Sequence, residues 1–269
     1  MIGIVSSRAD IASNNMAEHL IEEYGFRKSS LNGKECWKTV GIILCTIETP
    51  LIHAEAIDAF NFDVAYFLSK HKSANGVPSL TVHSLGNWGE SATAGGRPHE
   101  LSTAAPVEML AMLNRINMMD AEGIERTYEA THHGPLLRTP SLFVELGGDD
   151  ATINNRELSH RLADSVWSAI PEGKNMVFGK VAIGIGGGHY PRKFNSLALD
   201  KHYAFSHIMP KHAIVNMDGT DNLHMLEQAM ERSKQKPDLA VIEWKSINAN
   251  TKDRVITKLD ELGLDYEKI

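Results

Sequence analysis

The chain has 269 residues, 42% hydrophobic and 23% charged, with a net charge of −7 and a pI near 6.0. That is an ordinary globular balance, long enough for one large α/β domain, and it argues against a general nucleic-acid coat protein. No apolar run approaches the ~18 residues of a membrane helix, and Cys36 and Cys45 form no CxxC pattern, so neither a disulfide framework nor a cysteine metal knuckle is expected.

The opening MIGIVSSRAD reads as a first strand over 1–6, not a secretory signal, and a helix follows over 10–24. Gly41 to Ile47 is a continuous apolar run, as in a strand buried on both faces. Further strands are expected over 63–68, 79–85, 126–132 and 141–146. Pro106 opens a helix whose buried stripe is Met109, Leu110, Leu113 and Ile116. Leu158, Leu162, Val166 and Ile170 mark a helix over 153–169 by their spacing. Then come a strand over 177–185, a helix over 195–202, a strand over 204–209, a helix over 220–233, a strand over 240–244, a helix over 251–262 and a last strand over 265–269. This alternation predicts an α/β fold, with a mostly parallel or mixed sheet flanked by helices. One domain spans 1–269, with any two lobes meeting near 148–152.

Ligands in such folds sit at the carboxyl ends of strands, and histidine, at 13 residues, gathers there. In THHGP, His132 and His133 close a strand, and neutral imidazoles are the commonest zinc ligands. A hydrogen-bonded pair at a strand end is the competing reading. In GIGGGHYPRK, Gly186, Gly187 and Gly188 let backbone approach a ligand, with His189, Tyr190, Arg192 and Lys193 close behind. A tight turn needing glycine would look the same. His207 and Lys211 lie in FSHIMPKH, His83 ends SLTVHS, and Glu145 ends an apolar strand where a carboxylate must be paired or metal-bound. The candidate ligands are thus His83, His132, His133, Glu145, His189 and His207, with His133, His189 and Glu145 as catalytic candidates. His19, His71, His160 and His224 read as belonging to polar helix faces, and Gly95, Gly96 and Pro98 suggest a lid carrying His99. No nucleophile elbow is present, so a serine acyl-enzyme is not expected.

IGIVSSRADIAS, HSLGNWG, THHGP, VELGG, GIGGGHYPRKF and AFSHIMPKH, in this order and spacing, resemble the zinc-dependent D-aminoacyl-tRNA deacylases of archaea and plants over nearly the whole chain. The resemblance implies hydrolysis of D-aminoacyl-tRNA, zinc as cofactor, and a fold like those of peptidyl-tRNA hydrolase and the nucleoside phosphorylases. A zinc ion would activate water and polarise the ester carbonyl, and either the metal or amides of the Gly186–Gly188 turn would meet the oxyanion. Arg192, Lys193, Lys201 and Lys211 are candidates for tRNA phosphates, and Tyr190 for stacking on the single-stranded end. The expected setting is a cytoplasmic monomer, with no DNA and no membrane partner. A nucleoside phosphorylase or zinc amidase on a similar fold, or a non-catalytic tRNA-end binder, are the alternatives.

Overall fold

Long apolar runs and well-placed caps account for most elements of the computed structural model, which describes residues 1–72, 76–216 and 219–269. Strand β1 (Ile2–Ser7) is buried throughout. Helix α1 (Ile11–Glu23) begins where the Asp10 carboxylate accepts the Ser13 amide. Strands β2 (Arg27–Leu31) and β3 (Lys34–Thr39) form a hairpin before β4 (Ile42–Ile47). The hairpin is missing from the elements expected above because its strands are largely exposed and charged. Its signal was the turn Asn32-Gly33, both residues at positive φ.

Two short 3-10 turns over 51–60 lead into β5 (Val64–Lys72), β6 (Ser79–His83), β7 (Gly86–Asn87) and β8 (Glu100–Leu101). Pro106 sits in the first turn of α2 (Pro106–Met118). Then come β9 (Glu125–Tyr128), β10 (Ser141–Gly148), α3 (Asp150–Ile153) and α4 (Arg156–Asn175), which buries Leu162, Val166 and Ile170. The chain ends with β11 (Val181–Ile185), α5 (Arg192–Lys201), β12 (Ala204–Met209), α6 (Lys211–Ile214), α7 (Met225–Glu231), β13 (Leu239–Ile242), α8 (Ala249–Leu262) and β14 (Asp265–Lys268).

Among the described residues the strands make a mixed sheet, in the order β2-β3-β4-β1-β5-β10-β6-β9, and a parallel sheet, in the order β12-β11-β13-β14. In the mixed sheet β4, β1, β5 and β10 run parallel, whereas β6 and β9 run the other way. The α/β class is as expected, with two large sheets and the small antiparallel ribbon β7-β8 in place of one sheet. The first sheet's last strand ends at Gly148, yet α4 packs on α1 and α2, and β12 on α2. Tyr66 and Leu142 of one sheet share a single apolar cluster with Phe205 and Val241 of the other. The change of sheet therefore falls between β10 and β11, across a continuous core.

Alternation separates the two faces of the mixed sheet. Leu80, Val82, Tyr128, Leu142 and Val144 join the core under α1, α2 and α4. On the opposite face Phe67 and Phe143 stack at 5.0 Å and pack with Leu51 and Ile57. Val5, Ile43, Cys45 and Ala65 continue that apolar patch, whereas towards β6 the face is polar, with Ser79, Thr81, His83 and Glu145 all buried.

Candidate metal centre

Glu145 lies inside β10, paired with Thr81, while His83 pairs with Phe143. Because β6 and β9 run antiparallel to β10, the chain leaving them arrives over the middle of the sheet face. Glu129 follows β9, its amide donating to Val82 O at 3.0 Å, and the Ala130 amide donates to His189 O at 2.9 Å. That last bond brings the glycine-rich loop after β11 onto the first sheet. His71, near the end of β5, pairs with Gly147. The expected gathering at strand carboxyl ends holds for His83 and the segment after β9, whereas Glu145 sits within its strand; His71, expected beside a polar helix face, lies in β5 instead.

His71, Glu129, His132 and His189 form one donor group, His83, His132 and His133 a second, and His83, Glu129 and Glu145 a third, the ligating atoms of each lying within 4.8 Å of one another. Shared members merge the three into one cluster. It takes in His83, His132, His133, Glu145 and His189 from the expected ligands. It leaves out His207, which is fully buried, with Nε2 donating to Arg232 O at 3.0 Å and Nδ1 3.3 Å from Ser84 Oγ. Both ring nitrogens are occupied within the protein, so His207 is not placed to ligate a metal in this cluster. Sequence reasoning missed His71 and Glu129. His71 lies beyond the apolar run of β5, after Ser69 and the exposed Lys70, and Glu129 stands in TYEATHHGP just before the two histidines. A carboxylate flanked by Tyr and Ala in a strand-like segment was a signal available from sequence.

The local backbone sets the imidazoles' protonation. Nδ1 of His83, His132 and His133 lies 3.0, 2.8 and 2.6 Å from the carbonyls of Ser84, Ala130 and Gly134. A carbonyl only accepts, so each Nδ1 carries a proton, which leaves the Nε2 lone pairs of His132 and His133 free. Burial alone would lower His83, but its Nε2 faces Glu145, which outweighs burial and raises His83 above its ordinary value. Burial lowers His132 well below the ordinary histidine value and His133 to about 4, with the nearby His83 adding to both effects. Burial alone would raise Glu145, but His71 and His83, each 3.5 Å from its Oε2, hold it well below the usual carboxylate range. The turn that aims His133 is clamped. His133 has φ 45° in the left-handed region, and a Cβ on Gly134 would lie 2.2 Å from Gly96 N.

The donor set suits a cation. His83 Nε2, both Glu129 oxygens and Glu145 Oε2 are buried with no hydrogen-bond partner. Orphaned buried carboxylate oxygens are costly, and a metal ion satisfies them together. Neutral imidazoles with carboxylates are zinc's usual oxygen and nitrogen ligands.

The other expected binding residues surround this cluster unevenly. The Gly186 amide donates to Met209 O and the Gly187 amide to Ser246 Oγ, both at 2.8 Å, so two of the turn's three amides are already engaged. Tyr190 is half-buried, its ring 5.2 Å from that of His189. Arg192 pairs with Glu125 at 3.1 Å and Lys193 with Glu243 at 3.5 Å. Lys211 is exposed, without an acidic partner among the described residues. Beside His132 and His189 opens a cavity of about 380 Å³, walled by Trp88, Pro210, Ala213 and Asn222. A depression of about 510 Å³ around Asp238 and Tyr266 lies at the other end of the parallel sheet's strands.

The family model for D-aminoacyl-tRNA deacylase matches residues 58–267, a span that includes every member of the cluster. The chain belongs to the D-aminoacyl-tRNA deacylase family. It is similar to the D-aminoacyl-tRNA deacylase of Thermococcus kodakarensis, with 32% identity over 98% of each chain. It is similar also to that of Pyrococcus furiosus, with 33% identity over 98% of each. A crystal structure described as a conserved protein of unknown function matches with a TM-score of 0.86 and 26% identity, over 100% of this chain and 95% of that one. Deacylase relatives thus also cover β1 to β4, which precede the family-model match. No described helix is long and apolar enough to cross a membrane.

Proposed function

We propose that this chain hydrolyses the ester between a D-amino acid and the 3′ end of tRNA, at a zinc centre held by the cluster of His71, His83, Glu129, His132, His133, Glu145 and His189. The observation that carries this reading is the set of orphaned buried oxygens and Nε2 lone pairs converging on one point, in a chain of the deacylase family. The donors outnumber the four that one tetrahedral zinc takes, so some act beyond direct ligation. When bound, zinc acidifies a water and polarises an ester carbonyl.

The chain's own residues supply the remaining steps. Glu145, held ionised by His71 and His83, is a proton acceptor at Oε2, which both imidazoles approach at 3.5 Å without a hydrogen bond. His189 is the most exposed donor of the cluster and lies at the cavity mouth, where Nε2 can return a proton to the departing ribose oxygen. Tyr190 packs beside His189, its ring 5.2 Å away. The enzyme works as a monomer in the cytoplasm on this reading.

The test is deacylation of D- and L-tyrosyl-tRNA side by side, before and after chelation. Selective hydrolysis of the D-form, lost with the metal and restored by zinc, is expected. Equal kcat/KM for the two forms, or full activity in metal-free protein, would overturn it.

A further inference from the structure

The cavity beside the cluster has a constructed character that the metal chemistry does not require. One wall is Trp88, 4% exposed, whose Nε1–H donates to Thr131 O at 3.1 Å. Facing it are Pro210, Ala213 and an amide pair. Asn222 Nδ2 donates to Asn216 Oδ1 at 2.9 Å and to Ala213 O at 2.8 Å. Asn222 is 1% exposed, so its amide is held rigidly. The result is a slot with apolar flanks and a fixed amide edge, joined to the cluster through His132 and His189, which line both.

An aminoacyl-tRNA brings two groups to the reacting carbonyl. The amino-acid side chain varies from one substrate to the next, and a general deacylase has to leave it in open space. The terminal adenosine is the same on every tRNA, so a preformed cavity suits that constant group. Its chemistry fits as well. Unpaired nucleobases are held by contact on their faces and hydrogen bonds along their edges. A slot of about 380 Å³ is within the size range of small-molecule sites. The one carboxylate on its rim, Glu90, lies 3.1 Å from His99 Nε2 and leaves the slot itself without a free charge.

We propose that this slot is the subsite for the 3′-terminal adenosine of the tRNA, a reading that rests on the deacylase function above. The ribose then lies between Trp88 and His189, its esterified oxygen at the cluster, and the D side chain points away from the slot.

Free AMP is the probe, with Ala213→Trp and Ser91→Trp filling the slot from opposite walls. AMP should bind the wild type and compete with D-tyrosyl-tRNA. Both variants should lose AMP binding and raise KM about tenfold or more with little change in kcat, while keeping wild-type metal content and unfolding temperature. Inhibition by D-tyrosine should be unchanged. A wild type that does not bind AMP, or two folded variants that still do, would overturn the proposal. So would variants that lose D-tyrosine inhibition instead, which would make the slot the amino-acid subsite. A wild type that binds AMP in the slot but leaves D-aminoacyl-tRNA intact would refute the deacylase reading and not the subsite.

Discussion

Nε2 of His189 lies 2.9 Å from Oε2 of Glu129, although one residue follows a strand of the parallel sheet and the other a strand of the mixed sheet. The cluster is complete only when the two sheets are docked, so a metal bound there would stabilise the docking. Glu129→Gln keeps the shape and removes the charge. It should lower activity about a hundredfold or more and weaken metal retention. His160→Ala, on the helical side of the sheet, should stay near wild type. Equal loss in both would dissolve the distinction between cluster and surface histidines.

His207 gives the protein an acid-sensitive element. Burial holds it at about 4 against an ordinary 6.5. Above pH 6.5 neither folded nor unfolded chain protonates it. Below that, the unfolded chain takes up a proton that the folded chain refuses, so stability falls until pH reaches about 4. The full loss is roughly 3 kcal/mol. His207→Gln should be less stable at neutral pH, yet lose less than the wild type on acidification. Urea unfolding at several pH values measures both slopes, and parallel slopes would contradict the assignment.

Gly134→Ala would place a methyl 2.2 Å from Gly96 N and 2.5 Å from Gly95 C. Backbone, not a flexible side chain, must give way. A cost of about 1–3 kcal/mol is expected, together with lower metal content because His133 is the preceding residue. Thermal unfolding and metal analysis check this, and a variant that melts and binds metal like the wild type would show that the clamp is slack.

Charge reversal should separate the basic residues around the site. Arg192 and Lys193 already face Glu125 and Glu243, so part of their field is cancelled. Lys211→Glu should raise KM for aminoacyl-tRNA more than Arg192→Glu does, with kcat little changed. The Lys211 effect should shrink as salt rises, because phosphate contacts release counterions. A larger effect at Arg192 would place the tRNA path on the other side of His189.

The sequence carries most elements openly, because buried strands and amphipathic helices have periods that survive without tertiary context. It is silent on direction: nothing in SLTVH or ERTY tells that β6 and β9 run against β10, and that reversal is what lays the site across the sheet face. Glycine and proline beside His132, His133 and His189 mark loops, so those residues stand out. His71 does not, since its neighbours Lys70 and Lys72 read as surface, and Glu129 shows only as a carboxylate in an otherwise strand-like segment. His207 misleads for the opposite reason. Its residue type suits a ligand, and only packing shows that its nitrogens are already engaged.

Along β6 the core side chains Leu80 and Val82 alternate with Ser79, Thr81 and His83, so the hydrophobic interior and the reaction centre are written in the same letters, one residue out of step. Inserting or deleting a single residue within β6 exchanges the two sets, putting a valine among the carboxylates and a histidine in the core. Loops can lengthen or shorten as lineages diverge, but the spacing within β6 and β10 cannot change by one residue without losing foldability and chemistry together.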